Sequence, residues 1–147
     1  MAVTTNWYGN AFKNYLSGVA NSSWDWDTDT IKISLHTATY APNLDTHDFY
    51  DDVTNEVSSA GYTAGGATLA NKTVTVDTGN NQVEFDADDV SWTGVSFTTR
   101  YAVVYKSTGT ASTSPLIAVI DFGADQTVSG VNFSIIFSSD GVIRATY

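Results

Sequence analysis

The segment Phe97-Thr98-Thr99-Arg100-Tyr101-Ala102-Val103-Val104-Tyr105-Lys106 and the later run Pro115-Leu116-Ile117-Ala118-Val119-Ile120-Asp121-Phe122-Gly123 decide the fold class. Tyr101 to Tyr105 is apolar at every position, so both faces of that strand are expected to be covered and the strand lies centrally. In the second run Pro115 opens the apolar stretch and Gly123 is expected to close it. Toward the C-terminus, 128–138 and 141–147 read as two more extended pieces. On the other side, 68–76 alternates and Asp77-Thr78-Gly79-Asn80-Asn81 makes a hairpin turn. The chain returns over 82–85 with Val83 and Phe85 inward. Asp88-Asp89-Val90-Ser91-Trp92 is a short extended piece. Ile31-Lys32-Ile33-Ser34-Leu35 alternates strictly, with Ile31, Ile33 and Leu35 on one face. About eight antiparallel strands at roughly 8–12-residue spacing indicate an all-β fold, a single jelly-roll-like β-sandwich. One short N-terminal helix joins it: Phe12, Tyr15, Leu16 and Val19 recur at helical spacing, with Asn10 as cap and Gly18 and Asn21 at the end. The expected organisation is an N-terminal arm over residues 1–9 and one domain over 10–147.

Composition narrows the function. The chain has 147 residues, 42% of them hydrophobic, no Cys and a formal net charge of -10. That apolar content supports one packed core and excludes a disordered acidic tail. Without Cys there are no disulfides, thiolate metal sites or thiol nucleophiles. A pI near 4.1 argues against nucleic-acid binding, which needs clustered Lys and Arg. No apolar run approaches the roughly 20 residues of a membrane span. Met1-Ala2-Val3-Thr4-Thr5 has neither a basic nor an apolar segment, so no signal peptide is expected. Charged residues make up only 15%, against about 25% in an ordinary domain. The polar surface therefore comes from Thr, Ser, Asn and Gly, which suits a protein packed against copies or neighbours.

Motifs for chemistry are weak. Asp25-x-Asp27-x-Asp29 opens like a calcium loop, but Thr30 and His36 stand where such a loop needs Gly and Glu, so an acidic turn is expected. His36 and His47, with Asp45 and Asp48, match no metal spacing. No Gly-x-Ser-x-Gly elbow and no phosphate loop is present. Glu56 and Glu84 are the only Glu residues, and paired carboxylates leave no short signature. The expectation is a non-enzyme without cofactor or metal. Residues 39–59 lose periodicity and gain acids, as partner-contacting loops do. Aromatic residues in polar segments either fold over the core or anchor an interface, with sugar stacking a third use. Trp7, Tyr8, Trp24, Trp26, Tyr40, Phe49 and Tyr50 are the candidate interface residues.

The order of segments resembles a family of small structural proteins of tailed bacteriophages. The resemblance begins at Asp29-Thr30-Ile31-Lys32-Ile33-Ser34-Leu35-His36-Thr37. It continues through Thr46-His47-Asp48-Phe49, Asp51-Asp52-Val53 and Asn55-Glu56-Val57. It then runs through Gly61-Tyr62-Thr63-Ala64-Gly65-Gly66-Ala67-Thr68-Leu69-Ala70 and Phe85-Asp86-Ala87-Asp88-Asp89-Val90-Ser91-Trp92. Ala102-Val103-Val104-Tyr105-Lys106 and 115–123 complete a co-linear match over roughly residues 25–145. The resemblance implies a virion component made in the host cytoplasm. Its most concrete form is a capsid decoration, or cement, protein bound to the outer shell. Its partners would then be the major capsid protein and copies of itself, as a homotrimer, with no nucleic acid and no membrane. Neck, tail or fibre components are the alternative, and a carbohydrate-binding module using Trp24 and Trp26 is a third.

Overall fold

The alternation at 31–35 becomes β2 (Ile31–His36). The structure, a computed structural model that describes residues 2–147, places around it seven further strands. They are β1 (Thr4–Trp7), β3 (Ala67–Thr68), β4 (Thr73–Asp77), β5 (Gln82–Asp86), β6 (Val90–Lys106), β7 (Leu116–Ile135) and β8 (Ile143–Thr146). One sheet has the order β1-β7-β6-β2-β3 and the other β4-β5-β8, with every pairing antiparallel. This is the all-β sandwich indicated by the strand pattern, and the helix is α1 (Gly9–Leu16).

β6 lies between β2 and β7 and is covered on both sides, as its apolar run requires. Ala102 and Val104 join Ile31, Ile33, Leu35, Ile117, Ala118 and Ile120 in the core facing the smaller sheet, which contributes Ile143 and the half-buried Phe85. Val103 and Tyr105 face the other way with Tyr8, Tyr40, Leu116 and Val119. That second core is roofed by the 39–59 segment, through the half-buried Leu44, Tyr50 and Val53. Backbone bonds stitch the roof down: Tyr50 N–H to the Ser114 carbonyl at 2.9 Å, Leu116 N–H to Asp48 at 2.9 Å and Val57 N–H to Leu35 at 2.9 Å. The acidic excursion is a layer of the fold.

Several expectations are corrected. Residues 88–92 and 97–106 are not separate strands, nor are 116–122 and 128–138, because Gly94, Gly123 and Gly130 take positive φ inside continuous strands. Their irregularities are absorbed as bulges, seen in the register shifts between Trp92 and Val95, Val95 and Phe97, and Thr99 and Tyr101. Across Gly123 the strand continues because β7 stays paired to β6 on both sides of it, and Asp121 Oδ1 accepts the Gly123 N–H at 2.8 Å. Of the expected arm, Met1 lies outside the described residues, while Thr4–Trp7 is an edge strand paired to Asp121–Ala118. It covers the edge of β7 that would otherwise be open. Asn10 does not cap the helix. The N-cap is Tyr8, and Asn10 Nδ2 instead donates to the carbonyls of Asp45, Thr46 and His47. The helix buries Ala11 and Asn14, and Leu16 is 77% exposed, because burial of the preceding Tyr8 sets its rotation.

Gly66 is a position that only glycine fits. Its φ is +76°, and a Cβ would overlap the Ile33 carbonyl on β2. Gly18, with φ +67°, has open space around that position. Gly66→Ala should therefore cost about 3 kcal/mol or more of unfolding free energy and Gly18→Ala about 1 kcal/mol. Denaturant titration of both variants checks the difference.

Candidate functional site

The seven aromatic candidates divide into two groups with separate neighbours. Tyr8 and Tyr40 are buried in the second core, their hydroxyls 2.7 Å apart. His47 Nδ1 lies 3.1 Å from the Tyr40 hydroxyl and is also faced by the Asn43 N–H, so it accepts. Tyr40 thus donates to His47 and Tyr8 donates to Tyr40. Burial raises the Tyr8 hydroxyl well above the ordinary tyrosine range and shifts Tyr40 in the same direction. Tyr50 stacks on Tyr105 at 3.9 Å between ring centroids, and Phe49 is held by a bridge to Pro115. The Tyr50 hydroxyl is buried without a hydrogen-bond partner. The second group closes one end of the sandwich. Trp7 packs on Phe12, Trp24 and Phe85, and its indole N–H reaches the Arg144 carbonyl at 2.9 Å. Trp26 is fully inside, donating to the Asp86 carbonyl at 2.8 Å. Tyr8, Trp26 and Tyr40 are therefore core residues and not surface anchors. Each has enough apolar neighbours to bury its ring and a partner for its polar tip. Burial of Trp26 also removes the exposed Trp24–Trp26 pair that a sugar platform would need.

The residues considered for chemistry are engaged structurally. Asp25 Oδ1 accepts the N–H groups of Asp27 and Thr28, and Asp29 accepts the Asp25 N–H while pairing with Lys106 at 2.9 Å. His36 is buried, its Nδ1–H donating to the Thr54 carbonyl at 2.9 Å while Nε2 accepts from Ser34 at 2.8 Å. Burial lowers its pKa below the usual 6.5. Glu56 Oε1 accepts from the Tyr62 hydroxyl and the Gly65 N–H, both at 2.7 Å, and Tyr62 in turn accepts the Leu35 N–H. Glu84 stands on the other sheet, on β5, beside Gln82 and Thr75. Among the described residues no group of three or more His, Asp or Glu is placed to hold a metal ion, and no helix is long and apolar enough to cross a membrane.

What remains as a candidate site is surface. Beyond the level of β1 and β2, the β6–β7 pair continues as a ribbon of Val90–Thr99 against Gln126–Ile135. Neither segment carries a charged residue in a chain of net charge -10. Exposed hydroxyls pair across it, Thr98 with Thr127 and Ser91 with Ser134, each at 2.9 Å. Val131, opposite Val95 in mid-ribbon, is 52% exposed, and Ile136, just past its end, 71%. On its inner side a cleft of about 620 Å³ opens between the ribbon, β1 and β8. Sequence reasoning missed this region, although the absence of charge over 90–99 and 126–138 is visible in the sequence.

Residues 15–147 match a family of unknown function (DUF8063), and the chain belongs to it. No curated protein and no solved structure matches the chain.

Two outcomes follow from the buried groups. Tyr8→Ala should lower unfolding free energy by about 3 kcal/mol or more, seen as a reduced denaturant midpoint. For His36 the folded pKa lies below the unfolded one, so its contribution is full above pH 6.5 and is lost as pH falls toward the lowered folded value. Stability should therefore decline on acidification from neutral pH through that window, and His36→Gln should flatten this part of the profile in thermal melts across pH.

Proposed function

We propose that this member of the DUF8063 family is a structural protein of a tailed-bacteriophage virion, a head decoration protein that binds the outer capsid shell and reinforces it. The observation that carries the reading is the co-linear resemblance over roughly residues 25–145, from the Asp29–Thr37 opening to the 115–123 strand. The ribbon supports it. A protein of net charge -10 pays an electrostatic cost to approach copies of itself, and that cost is least at a surface free of charges. Exposed Val131 gives that surface an apolar contact. The double-sided core suits a part that must resist deformation, since close-packed interiors transmit strain instead of yielding. The remaining acidic surface is complementary to basic patches on a shell and is repelled by packaged DNA.

Cryo-electron microscopy of the virions should show density for this chain on the outside of the head, at three-fold positions. Density confined to the neck, tail or fibres selects the alternative virion component, and absence from the particle discards both. Val131→Asp should reduce co-sedimentation with undecorated shells about tenfold or more while leaving the thermal midpoint within a few degrees.

A further inference from the structure

The cleft beside the ribbon has an unusual frame. Its inner surface includes Ile120, Phe122, Phe133, Ile135 and Ile143, and β1 and β8, the outermost strands of the two sheets, border it at Thr5 and at Ile143 and Arg144. Antiparallel pairing fixes which backbone groups are free. Tyr8 N–H bonds to the Ile117 carbonyl, so by alternation Thr4 and Asn6 point at β7, and Thr5 and Trp7 point away from it. Tyr147 N–H bonds to the Asn81 carbonyl, so Arg144 and Thr146 point away from β5. The Trp7 indole bridges to the outward Arg144 carbonyl and seals one end. The remainder of the cleft, flanked by Val3 and Thr5, stays open.

We propose that this cleft is a docking slot for an extended strand of a partner protein, apolar at alternate positions and flanked by Lys or Arg. The reading does not depend on where the chain sits in a virion. A lipid or other apolar ligand would cover the phenyl rings but leave the outward N–H and C=O groups of the edge strands without partners. A strand pairs with the backbone of β1 at Thr5 and lays every second side chain over Phe122 and Phe133, whose rings pack edge to face at 6.0 Å. Charge selects the flanks. Asp140 lines the cleft and is paired with Arg144, the exposed Asp125 adjoins the lining residue Gln126, and the exposed Asp89 accepts the N–H of the lining residue Phe137 at 2.9 Å. A second copy of this chain, at net charge -10, is the wrong electrostatic partner.

The test uses the full chain and fluorescent nonapeptides alternating Val or Ile with Thr, read by anisotropy. Lys-flanked peptides should bind saturably and about tenfold more tightly than Glu-flanked ones at low salt. N-methylation of alternate backbone amides should weaken binding about tenfold in the register that faces β1 and little in the other. Ile136→Lys, at an exposed position in the cleft lining, should weaken the Lys-flanked peptide about tenfold without changing the thermal midpoint. The proposal is overturned if no peptide binds saturably, or if N-methylation in both registers has no effect. It is equally overturned if sedimentation shows the chain alone to be a dimer that Ile136→Lys dissociates, since a second copy then fills the cleft.

Discussion

A central strand that is apolar on both faces has to be covered twice. Residues 101–105 of β6 and 116–120 of β7 set that condition, and most of the chain is arranged to meet it. The β4-β5-β8 sheet covers one face through Phe85 and Ile143. The other is covered by an irregular 39–59 segment, with Tyr40, Tyr50 and Val53 as its apolar contacts. A loop can do this only if its backbone groups find partners, and the bonds to Ser114, Leu116 and Leu35 supply them.

Apart from the Tyr50 hydroxyl, the polar groups carried into this interior are satisfied in chains. Leu35 N–H, the Tyr62 hydroxyl and Glu56 form one, completed by Gly65 N–H. His36 sits between Ser34 and Thr54 in another, and Tyr8, Tyr40 and His47 form a third. The groups that a sequence reader would inspect for catalysis thus hold the roof and the sheet together. A carboxylate receiving two donors at 2.7 Å is fixed in place, and replacing either donor would leave buried charge less well paired.

The ends of the sandwich are finished unequally. One is closed by Trp7, Trp24 and Trp26 packed edge to face around Phe85, with the indole N–H of each donating to a backbone carbonyl. The side between β1 and β8 is left open beyond Trp7, next to a ribbon without charges.

The strand alternation at 31–35, the unbroken apolar run at 101–105 and the hairpin turn at 77–81 were legible because they depend on local periodicity and turn chemistry alone. Those features determined the all-β sandwich, and the spacing of Phe12, Tyr15 and Leu16 the one short helix. Gly123 reads as a strand end in the sequence because turn and bulge place the same demand on φ, and only the pairing of Asp121 with Tyr101 and of Gln126 with Thr99 decides between them. Tyr8, Trp26 and Tyr40 could not be assigned to core or surface from sequence, since an aromatic ring between polar residues has the same local signature in both. Burial is a property of what packs on the ring. That was decided by tertiary structure, as was the cleft, which exists only because two edge strands distant in sequence end up side by side.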